Sequence, residues 1–132
     1  MRLQRSTATV LAVAILLAFA VLLGGMGLLL LTEIPVRGHA PGASGGVFEA
    51  ILGLGVGLLL AAVVHLVAAT RTWRGLSLTL ARAVSWAGLV LGTVAFVLSL
   101  IGAADVAVLV LLVPLAYGVV LVGLRSIAGA RQ

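Results

Sequence analysis

Only a few side chains in this chain can hold or move a proton, and their spacing limits what they can do together. The carboxylates are Glu33, Glu49 and Asp105, and the imidazoles are His39 and His65. Glu33, His39, Glu49 and Asp105 all fall at or beyond the edges of apolar blocks. That outer constellation is the one group able to gather a cation, but it has no motif spacing, and no metal site is assigned to it. Glu49 and Asp105 are the candidates for a shared outer vestibule that would take a cation or a partner's basic group. His65 is the only histidine inside an apolar block. An imidazole in that setting is a candidate haem ligand, quinone contact or proton relay. It is the sole cofactor-binding candidate, and no cofactor is assigned. A second histidine for haem ligation is lacking, and Met26, the only soft alternative, lies nearer the other end of its block. On one helix, Glu49 and His65 are separated by about 24 Å along the axis and point to nearly opposite faces. They form no common site within one chain.

The remaining routes to catalysis close quickly. There is no cysteine, which removes thiolate nucleophiles, thiolate metal sites and disulfides together. No nucleophile stands beside a base and no two carboxylates are paired. The sequence therefore predicts a protein that is not an enzyme.

The elements that carry these residues are unusually apolar. Of 132 residues, 64% are hydrophobic and 8% are charged, against about a quarter charged in a soluble domain. So little polar surface cannot coat a water-soluble globule, and lipid must be the solvent for most of the chain. The net charge is +5, carried by arginine without lysine. The arginines are scattered singly between apolar blocks and form no patch of the kind that binds nucleic acid.

Apolar runs cover 8–31, 47–69, 80–101 and 105–124. Each has about 20 residues or more, enough to cross a hydrocarbon core of about 30 Å as a helix. The expected fold is all-α: four transmembrane helices forming a bundle of two antiparallel hairpins in a single membrane domain. The first block starts with Arg2 and Arg5 like a signal peptide, but it runs on to Leu31, too far for a signal's apolar core, and is expected to stay as the first span. The outer loop, 32–46, contains two prolines and four glycines. The inner loop is 70–79, and the tail is 125–132. Between the third and fourth spans, Gly102 can stop one helix and Asp105 can cap the next.

Charge sets an expected orientation. With both termini cytoplasmic, Arg2, Arg5, Arg71, Arg74, Arg82, Arg125 and Arg131 are inside and Arg37 alone is outside, as the positive-inside rule demands. Counted at the helical rise, Glu49 to Arg71 is about 33 Å and Asp105 to Arg125 about 30 Å. Both intervals match a bilayer core. They place each acid at an outer helix start, where the helix dipole favours negative charge.

Packing residues are the more numerous signal. Gly53 and Gly57 form one GxxxG spacing, Gly88 and Gly92 another, and Ser85 extends the second into a stripe of small residues that lets helix backbones approach. Ser85 and Ser99 are expected to bond back into their own helix or across to a neighbour. Pro114 frees the carbonyl of Val110 and is the expected kink of the fourth span, with Tyr117 near enough to serve the freed groups. With few polar groups inside the spans, the sequence favours a non-catalytic subunit in a larger membrane complex, in the plasma membrane of a bacterium. The alternative is a homo-oligomeric transporter or channel. The bilayer is a partner in either case, and nucleic acid in neither.

Overall fold

The computed structural model describes residues 6–37, 45–102 and 104–129. They form four α-helices: α1 (Thr7–Arg37), α2 (Gly45–Trp73), α3 (Thr79–Gly102) and α4 (Ala104–Gly129). No strand occurs among the described residues. Each helix contains a segment long and apolar enough to cross a membrane: Thr7–Thr32, Gly46–Trp73, Thr79–Gly102 and Asp105–Gly129. The chain is a small, multi-pass membrane protein of the all-α class. Between 17% and 22% of each span is buried by the chain itself. The large apolar side chains left outside, such as Val21, Leu91, Ile101 and Val108, would be untenable in water and are at rest in hydrocarbon.

The helices run beyond the apolar blocks. α1 continues to Arg37, past the predicted loop start at residue 32, so Glu33 belongs to a helix backbone and not to a loop. The Thr32 hydroxyl donates to the Leu29 carbonyl at 2.8 Å, which lets a polar residue remain helical where composition alone suggests an exit. Helix takes up 32–37 and 45–46 of the predicted outer loop; 38–44, with His39, lie outside the described residues. The inner loop contracts likewise, to residues 74–78, because α2 extends to Trp73.

Local chemistry explains the helix ends. Ser6 caps α1: its carbonyl and its hydroxyl oxygen both accept from the Thr9 amide, at 2.9 and 3.3 Å. α2 ends in a Schellman motif, with the Leu76 amide donating to the Arg71 carbonyl and the Gly75 amide to the Thr72 carbonyl. The motif needs a left-handed residue, and Gly75 supplies it with φ of 72°. α3 then starts with the Thr79 amide donating to the Ser77 hydroxyl oxygen.

By contacts the chain divides into two compact units, one of Met1–Leu16 with Ala68–Gln132 and the other of Leu17–Val67. The first unit has a core to which all four helices contribute. Leu16 of α1, Ala68 and Ala69 of α2, Ala81 of α3, and Val120 and Leu124 of α4 meet there, almost wholly excluded from the surface. Within it α3 and α4 pack as an antiparallel hairpin. Gly92 faces Val113 and Pro114, while Gly88 lies under the ring of Tyr117. Pro114 is buried against α3, and α4 remains one helix through it.

The second unit is an antiparallel pair made of the remaining parts of α1 and α2. Its closest approach is between Gly27 and Gly55: a Cβ on Gly27 would stand 2.9 Å from the Gly55 carbonyl oxygen. Gly53 and Gly57, the spacing expected to pack, are not part of this contact. Both are exposed, with nothing within 4 Å of the position a Cβ would take. Gly55, two positions on from Gly53, lies across the helix from it, so the contact uses the opposite face. Gly53→Ala and Gly57→Ala should therefore leave the fold intact and stabilise it by up to about 1 kcal/mol each, the helix advantage of alanine over glycine. Unfolding titrations in bicelles measure this, and a loss of stability would place those faces in contact.

Candidate functional site

Three polar side chains are buried among the described residues: His65, Thr72 and Ser85. His65 is in the second unit. Its Nδ1 lies 2.7 Å from the carbonyl oxygen of Ala61, one turn earlier. A carbonyl accepts only, so Nδ1 carries the hydrogen, and in the neutral ring Nε2 carries the lone pair. The ring of Phe19 on α1 sits beside it, with centroids 6.2 Å apart and planes tilted by 44°. The imidazole is thus fastened to its own helix on one edge and packed against an aromatic ring.

Hydroxyls elsewhere in the spans follow the same economy. Thr72 donates to the Ala68 carbonyl at 2.9 Å, Thr93 to Leu89 at 2.7 Å and Ser99 to Phe96 at 2.7 Å. Each closes a hydrogen bond within its helix and so remains compatible with an apolar setting. Ser85 is the exception and differs from the expectation that it bonds backward. It is fully buried, yet its Oγ has no hydrogen-bond partner. An unsatisfied buried hydroxyl costs about 1–3 kcal/mol. Ser85→Ala should therefore raise stability by about 1 kcal/mol, read as a shifted unfolding midpoint. A drop of that size would reveal a bridging water between α3 and its neighbours.

One of the two acids lies at a helix start as expected and the other does not. Asp105 is in the first turn of α4 and exposed, where the unpaired amides and helix dipole favour its charge. Glu49 is not a cap: α2 begins at Gly45, so Glu49 lies in the second turn, exposed, and past the strongest part of the dipole. The glycines before it adopt helix and take the end position themselves. Among the described residues no three metal-ligating side chains come together.

No family model, curated protein or solved structure matches the chain. The functional reading therefore rests on the site chemistry alone. Sequence reasoning missed Gly27, Gly55, Thr72 and Phe19. Clustered glycines mark the first two segments, GGMG and GLGVG, but which glycine meets which requires the relative rotation of two helices. Thr72 lies just past the end of the apolar run and reads as loop until the helix is seen to continue.

Proposed function

We propose that this protein is a non-catalytic accessory subunit that packs against a larger membrane complex and supports its assembly or stability. The observation that carries the reading is the contrast between inside and outside. His65 and Thr72 bond to carbonyls of their own helix and Ser85 is shut away in packing, whereas most of each apolar span is left uncovered by the chain. Transport through the chain would call for polar side chains facing one another across a path, and the bonds of His65, Thr72, Thr93 and Ser99 turn inward to helix carbonyls. A protein built this way acts through its surface. Arginine-only basic composition supports placing it in the plasma membrane of a bacterium.

The decisive measurement is the mass of the intact particle after mild-detergent extraction of the tagged chain from its native membrane. A fixed-stoichiometry assembly with one larger membrane protein is expected. A homogeneous particle containing only copies of this chain would sink the subunit reading and leave the homo-oligomer. The accompanying topology places both termini in the cytoplasm, on the arginine distribution. A reporter fused after Gln132 should be active only as a cytoplasmic fusion, and activity of a periplasmic reporter at that position would reverse the orientation.

A further inference from the structure

One end of the first unit collects charge of a single sign. Arg71 is in the last turn of α2 and Arg74 follows that helix directly. Arg82 is in the first turn of α3, and Arg125 is one turn before the end of α4. These helix ends are held at one level by shared core contacts: Leu78, Ala81, Leu124 and Ile127 pack in the same cluster as Ala68 and Ala69. At this same level, the Ala8 carbonyl oxygen of α1 is 3.5 Å from where a Gly123 Cβ would stand. All four arginines are exposed, and none of them forms an ion pair among the described residues. The unit's one described carboxylate, Asp105, starts the far end of α4. It is about 30 Å from Arg125 along the helix.

A second, independent marker occupies the same end. The chain has two tryptophans, and both are there. Trp73 lies between Arg71 and Arg74 and is 41% exposed, and Trp86 is one turn beyond Arg82 on α3 and is 51% exposed. Tryptophan, with an apolar ring and one N–H donor, settles at the boundary between acyl chains and headgroups. The two rings therefore set the depth of the arginines. The guanidiniums sit at headgroup level, within reach of phosphate diesters, with the exposed Leu76 alongside in the α2–α3 turn.

From charge complementarity and depth together, we infer that this end of the protein is a docking collar for anionic phospholipids, with Arg71, Arg74, Arg82 and Arg125 binding their phosphates. Guanidinium presents paired N–H donors matched to phosphate oxygens, which an arginine at the interface can use fully. A zwitterionic headgroup brings its own cation and cancels much of the attraction. The collar selects for net negative charge, and it does so whether or not the chain has a protein partner.

The test uses the full-length purified chain exchanged into micelles carrying equal amounts of phosphatidylglycerol and phosphatidylcholine, with retained lipid counted by native mass spectrometry. Each interfacial arginine contributes a preference of about fivefold. Wild-type protein should retain mainly phosphatidylglycerol, and salt at about 0.5 M should weaken that retention. Arg71→Gln/Arg74→Gln and Arg82→Gln/Arg125→Gln should each lower the preference about tenfold or more, and the quadruple variant should retain the two lipids in the supplied ratio. Arg71→Lys/Arg74→Lys keeps charge and should hold most of the preference, which separates binding from a folding defect, with helical circular dichroism as the check on every variant. Equal retention of both lipids by wild type, or an undiminished preference in the quadruple variant, overturns the inference. So does displacement of the lipid by millimolar inorganic phosphate, which would mark a site for soluble anion. Displacement by an acidic peptide at concentrations that leave the lipid otherwise bound would assign the collar to a protein instead.

Discussion

Gly88→Ala should destabilise the protein by about 2 kcal/mol through overpacking, although alanine is the better helix former. Two effects oppose each other at this position. Relief of glycine's backbone freedom favours alanine by about 1 kcal/mol in a helix. Against it, a Cβ at position 88 would fall inside contact distance of the Cζ, Cε1 and Cε2 atoms of Tyr117. Overpacking of a closed site costs about 1–3 kcal/mol, occasionally more, and here the ring has little room to withdraw. Tyr117 is only 3% exposed, and a helical aromatic side chain has two usable χ1 settings. Pro114, one turn earlier, is itself packed on Gly92, with its nitrogen and Cδ each 3.1 Å from where a Cβ would be. The α4 backbone therefore cannot back away at one point without disturbing the other. The overpacking term prevails. Reversible unfolding in bicelles measures the loss, and a double-mutant cycle with Tyr117→Leu identifies its source. If the ring is the obstacle, Gly88→Ala becomes neutral or favourable in the Tyr117→Leu background, with a coupling of at least about 2 kcal/mol. A neutral Gly88→Ala in the wild-type background would mean that α3 and α4 are less closely seated at this point.

The second large effect is expected in the α1–α2 pair, where two glycines that face each other should respond unequally. A methyl on Gly27 meets the Gly55 carbonyl oxygen at 2.9 Å and Leu59 Cγ at 3.0 Å. The first of these is backbone, and it moves only if α2 moves. A methyl on Gly55 meets Leu31 Cδ2 and Cγ at 3.0 Å, and the Gly27 carbonyl oxygen only at 3.3 Å. The leucine tip can change rotamer at small cost. Gly27→Ala should therefore lower stability by about 2 kcal/mol, and Gly55→Ala by less than about 1 kcal/mol. Adding Leu31→Ala should offset the overpacking in Gly55→Ala and leave the effect of Gly27→Ala unaltered. Equal losses from the two glycine substitutions would refute the backbone-contact argument. The exposed pair, Gly53 and Gly57, gives the internal baseline, because the same chemical change there meets open space.

These predictions also mark where the sequence was legible. Gly88 and Gly92 stand out by spacing, and in the structure they lie against α4. The same spacing at Gly53 and Gly57 does not mark the α2 face that meets α1. The difference is physical. A GxxxG stripe shows where a neighbour can approach closely, but a helix in lipid gains nothing from turning small residues inward unless a complementary surface is there. Tyr117 and Pro114 complement the Gly88–Gly92 face. Within the second unit, α1 meets α2 at Gly27, which faces Gly55.

The polar residues divide in the same manner. That His65 lies inside a span follows from counting along the block. Its bond to Ala61 and its contact with Phe19 depend on ring orientation and on which residue of α1 comes alongside. Ser85 and Ser99 look equivalent as isolated hydroxyls in apolar runs, yet only Ser99 closes a bond to its own helix. Side-chain rotamers, chosen by packing neighbours, make that distinction.

By itself, the sequence determined that the chain lives in a membrane and crosses it as four helices, with its arginines collected between and after the apolar blocks. Those properties follow from transfer free energy and span length, which are sums over consecutive residues and need no knowledge of neighbours. Tertiary structure alone decided which glycines touch, which ring of α1 comes beside His65, and that the Ser85 hydroxyl is left without a partner. Each of those depends on the rotation and axial offset of one helix against another, a degree of freedom that hydrophobic patterning barely constrains when every face of a helix is apolar.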